Sequence, residues 1–218
     1  MSVAKYISEN FLRGTFAVSS GGLLLLASSP AFAHHAMGGA MPQTFGQGLL
    51  SGLAHPVIGM DHLAFLVVAM LLSCALKGTA RFLVPLAFIG ATIGGTVLHL
   101  GAANIPMSET LVALSVVIVG VLALTRRYPG AFALSAIFAV SGILHGYAYG
   151  ESIVGAEATP LLAYLTGFAT VQYALIIGGV LGLEKLASHS EKARSIAARI
   201  SSATALLTGG LFIALSLA

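Results

Sequence analysis

Six apolar stretches of about 18 or more residues run along the chain, at roughly 47–76, 82–103, 109–125, 131–149, 160–183 and 196–217, with short polar connections between them. As an α-helix, each is long enough to cross a hydrocarbon core of ~30 Å. Hydrophobic residues make up 57% of the chain and charged residues 8%, against roughly 25% charged in an average soluble domain. Too few ionisable side chains remain to build a water-facing shell. The pattern therefore predicts an all-α integral membrane protein, a bundle of six transmembrane helices. It excludes soluble enzymes and disulfide-stapled secreted domains. The net charge of +3 does not point to nucleic acid, because the basic residues fall in connections and form no single stripe.

The first 33 residues read differently. Lys5 and Arg13 flank a polar start, Phe16 to Ala27 is largely apolar, Ser28-Ser29-Pro30 breaks the helix, and Ala31-Phe32-Ala33 forms an A-x-A cleavage site. That is the three-part pattern of a cleavable signal peptide. The expected organisation is a signal peptide at 1–33 and one six-helix transmembrane domain at 34–218, with both mature termini outside. From that start, the inside connections carry Lys77, Arg81, Arg126, Arg127, Lys185, Lys192, Arg194 and Arg199. These are all the Lys and Arg beyond residue 33, as the positive-inside rule expects. The outside connections hold Glu109, Glu151 and Glu157. The expected location is a bacterial-type plasma (inner) membrane, multi-pass, with a periplasmic mature N-terminus. Gly90 and Gly94, Gly142 and Gly146, and Gly178 and Gly182 are small-xxx-small pairs expected at helix contacts.

Chemistry concentrates in the first span, which reads His55-Pro56-Val57-Ile58-Gly59-Met60-Asp61-His62. Pro56 lacks an amide hydrogen, so the spacing predicts a break at His55 and a regular helix from Pro56. The piece from Phe45 to Ala54 is then re-entrant or interfacial. Asp61 lies within an apolar run, where even the lower insertion scale charges ~2.5–3.5 kcal/mol for an ionised Asp. It should face the bundle and have a partner.

His99 and His145 fall near the outer ends of the second and fourth spans, at a depth close to that of Asp61 and His62. With His34, His35 and His55, six of the seven histidines gather in the outer half; His189 belongs to an inside connection. Neutral imidazoles with a carboxylate suit late first-row divalent ions. The metal candidates are therefore His34, His35, His55, Asp61, His62, His99 and His145. Cys74 is the only cysteine, which argues against Cu(I) and iron–sulfur chemistry. Few acidic oxygens argue against Mg²⁺ and Ca²⁺. Ni²⁺, Co²⁺ and Zn²⁺ remain open on ligand type. A mature start at His34-His35 would add an α-amine and two imidazoles as a capture device.

The run His55-Pro56-x-x-Gly59-x-Asp61-His62 resembles the signature of the HupE/UreJ family, hydrogenase- and urease-associated membrane permeases for nickel or cobalt. The resemblance covers essentially the whole chain beyond residue 33. It implies metal-binding roles for His55, Asp61 and His62, and a high-affinity uptake permease for Ni²⁺ or Co²⁺, with no permanently bound cofactor and no enzymatic activity. The implied partners are the divalent ion and the lipid bilayer, with the oligomeric state open. After the signature the chain departs from the expected Ala-Met-x-x-Val-Gly run, reading Ala64-Phe65-Leu66-Val67-Val68-Ala69-Met70. That makes cobalt a serious rival to nickel. Two alternatives stand beside this reading. One is an intramembrane zinc-dependent hydrolase built on Ser51, His55, Asp61, His99 and His145; the other is a non-transporting metal sensor or accessory protein. In the inner half, the polar footholds are Ser73, Cys74, Thr92, Ser115, Thr170 and Gln172.

Overall fold

The computed structural model describes residues 40–217; the expected signal peptide at 1–33, and His34 and His35, lie outside the described residues. Helix α1 (Phe45–Ile58) begins at Thr44, whose hydroxyl accepts from the Gln47 amide at 3.2 Å. This satisfies one of the four N–H groups that a helix start leaves open. Pro56 lies inside α1, so the predicted break at His55 is corrected: it falls at Gly59 (φ −72°, ψ 106°), and α2 (Met60–Cys74) starts immediately after it. Proline removes only the bond that its own N–H would give to the Gly52 carbonyl, and a last turn tolerates that loss. The chain leaves the helical region at glycine because the ring of His62 folds back there. A Cβ on Gly59 would stand 2.5 Å from His62 Cδ2. The two helices are bent by 75°.

After a short helix α3 (Ala80–Leu83) come α4 (Pro85–Leu100), α5 (Ser108–Leu124) and α6 (Ala131–Gly150), then a 3₁₀ turn at Glu151–Ile153. The chain ends with α7 (Ala158–His189) and α8 (Glu191–Ser216). Every predicted apolar stretch is helical. Four segments are long and apolar enough to cross a membrane: Ala80–Leu100, Ala131–Ile153, Ala158–His189 and Glu191–Ser216. The broken pair α1–α2 makes a fifth when taken as one span. Helix α5 has 17 residues and reaches ~25 Å, at the short end for a crossing. Outward-facing side chains are apolar, with Phe132 90% and Leu207 76% exposed, as helices surrounded by lipid require.

Three tight helix pairs, α1 with α7, α4 with α6, and α5 with α8, surround α2, which packs on α5, α7 and α8. Glycines set the closest approaches. A Cβ on Gly146 would lie 2.0 Å from the Thr92 carbonyl oxygen, and one on Gly52 would lie 2.2 Å from that of Tyr164. Of the predicted glycine pairs only Gly142 and Gly146 mediate such contact. Gly90, Gly94, Gly178 and Gly182 face open space, which corrects that expectation: the four-residue spacing marks a smooth helix face without saying which neighbour meets it. Around α2, the core is formed by Phe65, Leu66, Leu72, Phe88, Val116, Phe138 and Ile176 among others.

The connections that carry the basic residues meet at one end of the bundle. Arg81 pairs with Glu184, and an Arg126 guanidinium nitrogen donates to Ser195 Oγ at 2.7 Å. There the hydrogen bond from Arg194 holds the exposed Glu191 carboxyl below the usual carboxylate range. At the other end the Tyr147 hydroxyl donates to the Ala103 carbonyl at 2.9 Å, and Thr110 donates to Ser216 at 2.8 Å. Helix α7 runs beyond the predicted 160–183 to His189, and His189 itself lies exposed against the Lys185 carbonyl.

Candidate metal centre

The break between α1 and α2 places three of the predicted site residues within eight positions of one another, on two differently directed helices. His55 is on the last turns of α1; Asp61 and His62 are on the first turn of α2. All three are buried, at 1%, 4% and 2% exposure. Asp61 Oδ1 accepts from the backbone amide of His62 at 2.8 Å. A carboxylate there satisfies an open N–H and lies where the helix dipole favours negative charge. The buried Asp that the apolar run required to have a partner finds it in its own helix start.

A chain of hydrogen bonds orients His62. Its Nδ1 is 2.8 Å from Nδ1 of His145 on α6, which is fully buried. His145 Nε2 in turn is 2.9 Å from Ser115 Oγ on α5. The Ser115 hydroxyl proton goes to the Val112 carbonyl at 2.7 Å, so its oxygen accepts from His145 Nε2–H. That assigns the lone pair of His145 to Nδ1, and the proton between the two rings to His62 Nδ1. His62 then presents Nε2 as its acceptor nitrogen. The rings of Phe65 and Phe88 lie against His145, with centroids 4.6 Å and 5.5 Å away.

His55 is held by the same logic. Its Nδ1 is 3.1 Å from the Tyr164 hydroxyl and 3.2 Å from Ser152 Oγ. Tyr164 donates its own proton to the Tyr149 carbonyl at 2.9 Å, so it accepts from His55 Nδ1–H and leaves Nε2 as the basic nitrogen. The close approach of α1 to α7 at Gly52 brings Tyr164 within reach. Tyr149 closes the space between the two imidazoles, with centroids 4.9 Å from His55 and 4.5 Å from His62. Its buried hydroxyl has no hydrogen-bond partner among the described residues. The ring centroids of His55 and His62 are 5.8 Å apart.

The structure thus brings together His55, Asp61, His62 and His145 from the predicted set. It does not bring His99 to them. His99 packs edge-on against Tyr147, centroids 4.4 Å apart, and its buried Nδ1 has no partner among the described residues. Helix α4 turns it toward Gly150 of α6, where a Cβ would stand 2.5 Å from that of His99. Similar depth did not mean a shared face. Ser115, read as an inner-half foothold, is corrected to a partner of His145. Tyr149, Tyr164 and Ser152 were missed, since tyrosines and serines in membrane helices carry no signal until helix register is known. Among the described residues no three His, Cys, Asp or Glu side chains converge into a ready-made ion cage.

The family model described as HupE / UreJ protein matches residues 22–212. Protein HupE of Rhizobium leguminosarum bv. viciae is 30% identical over 182 residues, covering 83% of this chain and 89% of that protein. No solved structure matches the chain significantly.

Proposed function

The chain belongs to the HupE/UreJ family, and from that premise we propose that it is an uptake permease for a divalent transition metal, nickel or cobalt. The observation that carries the reading is the buried group at a broken helix: His55 and His62, each with its Nδ1–H engaged, beside Asp61. Metal-binding imidazoles characteristically donate the other ring N–H to an oxygen or a further acceptor, which fixes tautomer and direction. An ion held at ~2.1 Å by each Nε2 would be roughly 3 Å from either ring centroid, so a separation of 5.8 Å is within the span of one ion. Asp61 supplies the compensating charge in a medium where an uncompensated cation is costly. A break in a transmembrane helix is also where transporters commonly build ion sites.

In this account His55, Asp61 and His62 contact the ion, and His145 acts through His62. His34, His35 and His99 take the ion from outside and pass it inward while water is stripped from it. The ion's remaining ligands are its own waters or that tail. The chain crosses six times, with residues 1–33 removed as a signal peptide, α5 as the shortest crossing and the basic end in the cytoplasm of a bacterial-type inner membrane. The chain has no G-x-x-x-x-G-K-[ST] phosphate loop, and the membrane potential supplies a drive: two charges at 100 mV gain ~4.6 kcal/mol.

Purified full-length protein in liposomes loaded with a metal-sensitive chelator tests the reading. The expected result is inward Ni²⁺ or Co²⁺ movement driven by an inside-negative potential. Stoichiometric binding without movement would replace the permease with a sensor or accessory protein.

A further inference from the structure

Helix α7 buries one face through residues at every fourth position: Pro160, Tyr164, Phe168, Gln172, Ile176 and Val180. Gln172 is the one carboxamide on that face. It is fully buried, and neither its Nε2 nor its Oε1 has a hydrogen-bond partner among the described residues. An amide can make about four hydrogen bonds, and leaving them unmade in a low-dielectric interior is a standing penalty. Other buried polar side chains of this region avoid it by bonding to their own helix: Ser73 Oγ donates to the Ala69 carbonyl and Thr92 Oγ1 to that of Ile89, both at 2.7 Å. Gln172 is too long to turn back that way, and leucine would fill the position with no penalty at all.

The position of Gln172 gives the penalty a use. Tyr164, two turns earlier on the same face, holds His55; Glu184, three turns further, pairs with Arg81 at the basic end. Gln172 therefore lies ~12 Å inward of the tyrosine and ~18 Å short of the ion pair. Next to it, the Tyr173 hydroxyl donates to the Phe82 carbonyl at 3.3 Å, which ties this turn to the short helix α3. The histidines and carboxylates buried among the described residues are His55, Asp61, His62 and His145, all members of the cluster around the helix break.

We infer that the Gln172 carboxamide is a second cation site on the inward path, its Oε1 taking the divalent ion as it leaves His55, Asp61 and His62. The inference rests on the permease reading for its purpose. An uncharged oxygen suits a transit position, since an ion must enter it and leave it again.

Full-length protein in chelator-loaded liposomes is compared with Gln172→Leu and Gln172→Glu, using Ni²⁺ alone as the probe. Gln172→Leu should keep the outer-site Kd within about twofold and melt no lower than wild type, while the initial rate of Ni²⁺ entry falls about tenfold or more. Gln172→Glu should bind one further equivalent of Ni²⁺ and release it slowly, because a carboxylate holds what an amide passes on. Wild-type entry by Gln172→Leu, or no added equivalent in Gln172→Glu, overturns the inference. If wild type itself moves no Ni²⁺, the permease reading fails, and the equivalents bound by Gln172→Glu still decide whether this position takes a cation.

Discussion

Nδ1 of His62 and Nδ1 of His145 lie 2.8 Å apart across two helices, inside the bundle and next to the only helix break of the first span. One imidazole is thereby positioned by another, and Ser115 positions the second. The consequence is an order of sensitivity. Removing the acceptor, as in His145→Leu, should weaken Ni²⁺ binding about 10–100-fold. His145→Gln can still accept from His62 Nδ1–H and should recover most of that loss. Titration of purified protein by calorimetry measures both. Equal losses in the two variants would place His145 on the ion itself.

Gly59→Ala should disable the site while sparing the helices. The added carbon would stand 2.5 Å from His62 Cδ2, so the ring must swing away. Near-native circular dichroism with Ni²⁺ affinity reduced about tenfold or more is expected. Native affinity in this variant would show that the ring's fold-back over Gly59 is dispensable.

Glycines that read alike in sequence should separate sharply on substitution. Gly146→Val drives a side chain into the Thr92 backbone, which lies 2.0 Å from the Cβ position. It should cost about 1–3 kcal/mol or more. Gly90→Val and Gly94→Val meet open space and should be nearly neutral. Thermal unfolding in detergent distinguishes them.

How much of this was legible beforehand follows from what each signal depends on. The helical stretches were readable because apolar length is a property of the chain alone. The cluster at His55, Asp61 and His62 was readable because the three are local in sequence. The break was displaced from His55 to Gly59, since a proline announces a lost hydrogen bond and not the point where the backbone turns. His99 and Ser115 were misplaced for one reason: depth along a helix can be counted from its end, whereas the face a residue presents depends on the crossing and register of two helices. Tyr164 became a partner of His55 only once Gly52 had brought α1 onto α7.

Orientation can be read with single cysteines. In a Cys74→Ser background, Ala102→Cys should react with an impermeant maleimide added to intact spheroplasts, and Ser188→Cys should react only after permeabilisation. The reverse pattern would invert the chain in the membrane and contradict the positive-inside assignment.

The most direct measurement is radiolabelled Ni²⁺ and Co²⁺ uptake by cells lacking their own high-affinity transporters, with wild type compared with Asp61→Asn and His62→Ala at matched membrane expression. The account predicts energy-dependent accumulation by wild type and a loss of about tenfold or more in both variants, with the preferred isotope identifying the metal. Uptake by Asp61→Asn and His62→Ala at the wild-type rate would contradict the account at its centre, because the ion would then pass without the buried group at the helix break.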